Sequence, residues 1–322
     1  MAASHGSRPL IPRVDVLGVG VSAIDMPAAL DEIERWIDGR EPHYVCVTGV
    51  HGVMESQHDP ELRRIHNASG LTTPDGMPMV WAGRWAGARG MTRVYGPDLL
   101  LAVCERAHAR GWSSFFYGGK PGVPERLAAR LQGRFPGLRV VGTYSPPFRA
   151  PTADEDAAMV ERINASGADL VWVGLSTPKQ ERWMAAHVGR LSAPVLLGVG
   201  AAFDIHAGTL AQAPPWMRRV GLEWAYRLAR EPRRLWRRYL SIIPRFALAI
   251  VRRPPRLSRP ATPGTQARSG SGADAAGRRM TSAGAAGAGS GSTATPSRAA
   301  RQSTNPSPKT DQKAIPPWGP PR

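Results

Sequence analysis

Six short stretches of this chain carry side chains able to do chemistry. In "TTPDGMPMVWAGRWAG" (72–87), Asp75 follows a short apolar run and precedes a helical pattern rich in Trp and Met. A carboxylate there is either the N-cap of that helix or a general base that takes the proton of an attacking hydroxyl; spacing alone favours the cap. In "TRVYGPDLL" (92–100), Asp98 reads as the cap of a helix over 99–110, and Arg93 as free to meet an anion. "YGGKPG" (117–122) sets Gly118 and Gly119 in a turn that opens a helix, serving turn geometry or bringing backbone N–H groups to a pyrophosphate. "GLSTPKQERW" (174–183) places Gln180 and Glu181 in the first turn of a helix that Pro178 starts. Glu181 suits the helix dipole there, whereas Gln180 has less structural reason to be present. "GVGAAFDIHAG" (198–208) sets Asp204 in a loop between glycines, where an Asp is more often a turn former than a ligand. The sixth stretch, "GLEWAYRLAREPRRLWRRYLSIIPRFALAIVRRPPR" (221–256), crowds arginines beside large apolar residues.

These stretches need elements to hold them. "HYVCVT" (43–48), "SSFFYGG" (113–119), "LRVVGT" (138–143), "ADLVWVGL" (168–175) and "APVLLGVG" (193–200) are strand-like runs, each followed by a polar or Gly/Pro turn. Helical patterns such as "GVPERLAARLQGRF" (122–135) and "DEDAAMVERINASG" (154–167) lie between them. The alternation predicts an α/β fold: a Rossmann-like, mostly parallel sheet with helices on both faces. Ligands in that architecture bind beyond the carboxyl ends of the strands; three of the six stretches follow these runs, and 72–87 follows a further short apolar run.

Charge separates the chain into parts. The net charge is +17, yet residues 1–215 are neutral, with 21 Lys/Arg against 21 Asp/Glu. Residues 216–256 carry +10 and residues 257–322 carry +7. A neutral body with a basic extension points to an anionic membrane surface as readily as to nucleic acid. Cys46 and Cys104 each sit in an apolar stretch and read as buried free thiols, not a disulfide framework. The first residues lack a long apolar core behind a basic start, and no apolar run approaches the roughly 18 residues of a spanning helix. The expected location is therefore cytoplasmic, peripheral on the inner face of the plasma membrane. The domain reading is a flexible N-terminus (1–13), an α/β core (14–220), a basic amphipathic helical appendage (221–254) and a disordered Gly/Ala/Ser/Pro-rich tail (255–322).

Within the appendage, helical spacing puts Arg227, Arg230, Arg234 and Arg237 on one stripe. Leu228, Leu235, Trp236, Tyr239 and Ile243 fall on the other side, with Pro232 starting a second helix. One face suits phosphates and the other the body or a lipid interface.

Taken in order, "TPDG", "RVYGPDLL", "FFYGGKPGV", "GLSTPKQE", "GVGAAFD…AG", "APPWMRRVGLEW" and "YRLAREPRRLWRRYL" resemble the WecG/TagA/CpsF family of bacterial glycosyltransferases over roughly residues 14–245. The resemblance implies transfer of an N-acetylmannosamine-type sugar from a UDP donor to an undecaprenyl-diphosphate-linked sugar, with inversion and without a metal or other cofactor, in surface polysaccharide or cell-wall synthesis. It also implies Asp75 as catalytic base and Thr48 and Arg93 as site residues. Gln180, Asp204, Arg227, Arg234 and Arg237 become substrate contacts, with Gly118 and Gly119 beside them. A homo-oligomer fits too. Two departures stand out: the usual "TPN" is "TGV" (48–50) followed by His51, and the usual "RAP" is "QAP" (212–214).

The residues agree with that chemistry. The UDP leaving group develops negative charge that must be stabilised. "DED" (154–156) matches a metal-binding DxD formally, but reads better as the acidic first turn of a helix. Arginines then supply the positive charge. Two other classes compete. A nucleic-acid-binding protein would need a basic groove with interleaved aromatics, which the neutral body lacks. A dinucleotide-dependent oxidoreductase would need GxGxxG in the first βα unit, and "GVGVSAID" (18–25) lacks the third glycine.

Overall fold

The computed structural model describes residues 11–258, apart from the side chains of Arg234, Arg238 and Tyr239. The chain begins with β1 (Arg13–Val16), β2 (Val19–Ser22), α1 (Met26–Asp38), β3 (His43–Thr48), α2 (Val50–His58), α3 (Pro60–Ala68), β4 (Leu71–Pro74), α4 (Met77–Trp85) and α5 (Gly96–Arg110). It continues through β5 (Ser113–Gly118), α6 (Val123–Arg134), β6 (Arg139–Tyr144), α7 (Ala153–Ala165), β7 (Leu170–Gly174), α8 (Lys179–His187), β8 (Val195–Gly198) and α9 (Ala202–His206). The last elements are α10 (Pro215–Arg219), α11 (Glu223–Arg230), α12 (Pro232–Arg252) and β9 (Arg256–Ser258).

Six strands form one sheet in the order β4-β3-β8-β7-β5-β6, with every neighbouring pair parallel. The fold is thus the expected α/β, Rossmann-like sheet. The five runs read as strands all lie in it. Both faces are covered, which is why these strands read as continuous apolar runs and not as alternating ones. Phe116 and Trp172 (ring centroids 6.2 Å apart) point into the layer formed by α1, α5, α6 and α9. Tyr117, one residue on from Phe116, stacks instead on Trp183 of α8 at 4.3 Å. Because every strand runs the same way, Thr48, Pro74, Gly118, Gly174 and Gly198 all end at one edge.

Glycine is required where two of these ends meet. Gly118 has φ +125°, and a Cβ there would stand 2.7 Å from the backbone of Gly174. The N–H of Gly119 donates to the Gly174 carbonyl at 2.9 Å. That N–H is committed to the sheet, and turn geometry with close approach is enough to require this glycine pair.

A second, three-stranded sheet of order β2-β1-β9 was not foreseen. β1 and β2 pair antiparallel around Leu17 and Gly18, whose φ values of +55° and +88° make the tight turn that suits strand twist. "GVGVSAID" is therefore hairpin and strand, not a dinucleotide loop. Arg13 is no part of a flexible N-terminus. It begins β1, and its guanidinium donates to the carbonyls of His66, Asn67, Ser69 and Gly70, satisfying the carboxyl end of α3.

The C-terminal boundary also moves. Arg256–Ser258, assigned to the tail, form β9 and pair with β1. α12 reaches that sheet as well: Ile250 is buried among Val14, Val16, Val19 and Val21. The described residues form one compact unit, so core and appendage are not separate bodies. Residues 1–10 and 259–322, the greater part of the expected flexible terminus and tail, lie outside the described residues. Pro232 does start a second helix, but the apolar stripe of the appendage divides: Leu235 is buried while Trp236 and Ile243 are exposed.

Gly118 and Gly122 separate close approach from backbone conformation. Gly122 also has positive φ (+82°), but a Cβ there would stand in open space. Gly122→Ala should cost about 1 kcal/mol, the left-handed penalty alone. Gly118→Ala should cost at least ~3 kcal/mol, since backbone must also move. Urea denaturation of the two variants checks this; equal losses would show that the contact with Gly174 constrains nothing.

Candidate active site

The carboxyl edge of the large sheet brings Asp75, Thr48 and Gln180 to one side of the molecule. Asp75 follows β4 directly, and its N–H donates to the Thr48 carbonyl at 3.0 Å. It is not the cap of α4. Gly76, with φ +116°, holds that position, and no side chain caps the helix. The carboxylate is thereby released toward α5, where Oδ1 accepts from the Gly96 N–H over a long 3.4 Å. Gly49, in the altered "TGV", lets the strand ends close: a Cβ there would lie 2.8 Å from the Asp75 carbonyl oxygen.

The segment between α4 and α5 runs beside the end of β4, held by the Val94 N–H on the Pro74 carbonyl at 3.0 Å. It presents Arg93 and Tyr95. Arg93 is not free. Its guanidinium lies 3.5 Å from Asp98, 3.6 Å from Glu223 and 4.5 Å from the centre of the Tyr95 ring. Asp98 is not the cap of α5 either, since the helix starts at Gly96 with Tyr95 before it. From the first turn, Asp98 instead holds Arg93 and, at 3.2 Å, Arg218 of α10.

Glu223, at the start of α11, joins the C-terminal helices to this edge. It accepts from the Tyr95 hydroxyl at 2.6 Å and pairs with Arg227 at 3.0 Å as well as with Arg93. The Nε of Arg218 is buried without a partner. The sequence reading gave no role to Tyr95, Arg218 or Glu223. All three lie inside quoted motifs, but only folding shows that residues so far apart in the chain face one another.

These neighbours set the protonation of Asp75. Its pKa is raised to about 6, with burial the largest influence and the nearby Glu223 charge acting in the same direction. Arg227, the Gly96 N–H and Arg93 act in the opposite direction. The result is a carboxylate able to accept a proton near neutral pH, with arginines around it able to hold an anion.

Gln180 and Thr48 line the neighbouring part of the edge. Gln180 is buried in the first turn of α8, and its Nε2 donates to the Gly198 carbonyl at 3.3 Å and to Glu181 Oε1 at 3.2 Å. Its Oε1 has no partner, nor has the buried Thr48 hydroxyl. Glu181 is fully buried, accepts from the Thr177 hydroxyl at 2.8 Å, and has its pKa raised by burial.

Other expected site residues stand elsewhere or differently. Asp204 lies in α9, not in a loop, and its carboxylate accepts from the Thr209 hydroxyl at 3.0 Å. Arg237 is exposed and stacks over Trp236 at 5.3 Å, with no described contact to the Asp75 cluster. Arg234 belongs to α12, but its side chain lies outside the described residues. The "DED" run begins α7 as expected: Thr152 and Glu155 form a capping box, and Asp156 pairs with His187 and Arg190. Cys46 and Cys104 are free and buried. No described helix is long and apolar enough to cross a membrane.

Comparison with known proteins identifies the family. The model of the glycosyl transferase WecG/TagA/CpsF family matches residues 14–260. A relative from Bacillus spizizenii strain W23 is named N-acetylglucosaminyldiphosphoundecaprenol N-acetyl-beta-D-mannosaminyltransferase. It is 28% identical over 217 residues, spanning 67% of this chain and 82% of the relative. A protein of the same name from Bacillus subtilis strain 168 is 27% identical over 238 residues, spanning 71% and 90%.

The raised pKa of Asp75 makes a stability prediction. Folding favours its protonated form, so that contribution is complete below pH about 4 and is lost as pH rises through about 6. Asp75→Asn, which cannot ionise, should be more stable than wild type by about 1–3 kcal/mol at pH 8, at 1.36 kcal/mol per unit. The advantage should disappear at pH 4. Chemical denaturation at the two pH values measures it, and equal stability at pH 8 would mean that folding does not desolvate this carboxylate.

Proposed function

From the premise that the chain belongs to the WecG/TagA/CpsF glycosyltransferase family, we propose that it moves an N-acetylmannosamine-type sugar from a UDP donor to a sugar carried on undecaprenyl diphosphate. The observation that carries this reading is Asp75, a carboxylate with pKa raised to about 6, beside Arg93 and Arg227 at the carboxyl edge of a parallel sheet. The names of the two Bacillus relatives support the acceptor class and the transferred sugar. The product would feed cell-wall or surface polysaccharide synthesis at the cytoplasmic face of the membrane.

The step is a single displacement. As the acceptor oxygen attacks the anomeric carbon, its proton passes to Asp75, and the bond from that carbon to the UDP oxygen breaks on the opposite face. The configuration inverts. Charge gathering on the departing diphosphate meets guanidinium groups already placed at the edge, Arg227, Arg93 and Arg218, which serve in the role a metal ion has in other transferases. Glu223 and Asp98 hold those arginines until the diphosphate competes for them. Thr48 and Gln180 Oε1, buried polar atoms without partners, are placed to receive substrate hydroxyl or N–H groups.

Two other readings fare less well. The hairpin built from "GVGVS" leaves no glycine loop at a helix N-terminus in that unit, which disfavours a dinucleotide-dependent oxidoreductase. A nucleic-acid role would rest on the basic C-terminal helices alone. Protection from thermal unfolding by UDP but not by NAD, together with mass spectrometry of lipid-linked products from a panel of UDP-sugars, tests the assignment.

Replacing Asp75 with Asn should lower transfer by about 10²–10⁴-fold while UDP still protects the protein. Near wild-type transfer by the folded variant would remove Asp75 from the mechanism. The acid limb of kcat/KM should lie near pH 6 in the wild type. It should move to lower pH in Glu223→Gln and to higher pH in Arg227→Gln, since the first charge raises the Asp75 pKa and the second lowers it. Limbs that stay in place in both variants would show that another group is titrating.

A further inference from the structure

Helix α4 is apolar on both sides. Met79, Val80, Ala82 and Gly83 are buried on its inner side. On its outer side Trp81 and Trp85, one turn apart, are 52% and 57% exposed. Arg84 is the one charged residue on that outer side, and a face otherwise made of tryptophan calls for an apolar medium or partner beside it. The same surface continues onto the α10–α11 connection: the ring of Trp81 lies 3.2 Å from where a Gly221 side chain would begin, and Trp216 and Val220 beyond it are 60% and 54% exposed.

Charge identifies the occupant. Residues 76–97 and 205–222 contain no Asp or Glu, while Arg84, Arg89 and Arg219 are exposed around the tryptophans. A two-fold pairing of identical copies through this surface would set arginine against arginine. An anionic bilayer offers the complementary charge, and its interface is where amphipathic tryptophan rings settle.

We propose that the outer side of α4, with Trp216 and Val220, is a membrane-inserting surface that acts separately from the basic helix α12. It goes beyond the function proposed above and beyond the sequence reading, in which only the appendage (221–254) offers a face to a lipid interface. Its position suits the chemistry. α4 starts two residues after Asp75, so at 1.5 Å per residue Trp81 and Trp85 stand roughly 6 and 12 Å along the helix from its first residue. A lipid-linked acceptor would thus be held with its sugar near the base and its chain in the bilayer.

The test compares the full-length wild type with Trp81→Ser/Trp85→Ser, Trp81→Phe/Trp85→Phe and Arg252→Gln/Arg253→Gln. Binding to vesicles with and without phosphatidylglycerol is measured at low and high salt. The Ser pair should bind anionic vesicles at least tenfold more weakly, and the affinity that remains should be more sensitive to salt. The Phe pair should bind nearly as the wild type does. The Arg252/Arg253 pair should lose mainly the salt-sensitive part. Brominated lipids should quench part of the wild-type tryptophan emission, and that part should shrink in the Ser pair. Transfer to a short-chain, water-soluble acceptor should stay at the wild-type rate in all variants, so failure of the enzymatic reading would be seen separately. Unchanged vesicle affinity and quenching in the Ser pair would overturn the proposal. So would a lipid-free wild-type dimer that the Ser pair converts to monomer, because the surface would then join copies of this chain.

Discussion

A carboxylate withdrawn from water and surrounded by arginines is the constraint on which the rest of this structure turns. Desolvation raises the pKa of Asp75, and the charges beside it set how far. Glu223 is the decisive neighbour. It carries the C-terminal helices to the sheet edge through Tyr95, Arg93 and Arg227, and its own charge opposes ionisation of Asp75. Docking of α11 and the setting of the Asp75 pKa are therefore one interaction. Without that docking, Arg227 would have no defined place beside Asp75, and the edge would hold a carboxylate with fewer counter-charges.

The remainder of the fold makes this arrangement possible. Parallel pairing puts all six strand ends on one edge, so residues more than 100 positions apart meet without a long loop. Gly118 lets β5 and β7 run within contact of one another, Gly174 leaves room for the Phe203 ring, and Gly49 lets β3 approach Asp75. The small sheet completes the unit from the other end. Its hairpin is covered by α12 and extended by β9, so the C-terminal helices are fixed at both their start and their finish. A helix pair anchored in this way can join the site and still leave Trp236, Ile243 and Leu248 exposed.

The periodic parts of the fold were legible in the sequence. "HYVCVT" is β3 residue for residue, and the alternation of apolar runs with helical patterns implies a parallel sheet because such strands are buried on both faces. The hairpin was legible in principle from the alternating valines 14, 16, 19 and 21, but its turn, Leu17-Gly18, lacks the Asn or Asp that usually announces one. β9 was not legible. Three residues with an apolar centre in a Pro- and Arg-rich stretch carry no period, and only the waiting edge of β1 gives them a partner. Asp75 illustrates the same limit. A helix cap and a catalytic carboxylate have the same spacing from an apolar run, and only the fold shows that Gly76, not Asp75, takes the cap position.

By itself the sequence determined the fold class and the sheet edge at which Asp75, Thr48 and Gln180 stand, and, through residue-by-residue resemblance, offered the carboxylate and arginines to look for there. Tertiary structure alone decided that Arg93 is held by Asp98 and Glu223, that Gly119 bonds to the sheet, that Asp204 and Arg237 stand outside the Asp75 cluster, and that α4 turns two tryptophans outward. The reason is physical. Periodicity encodes burial, a local property averaged over a few turns or pleats, and so it is written along the chain. Ion pairing and the pKa of Asp75 depend on distances of a few ångströms between groups as far apart in sequence as Tyr95 and Glu223, and those distances exist only once the chain has folded.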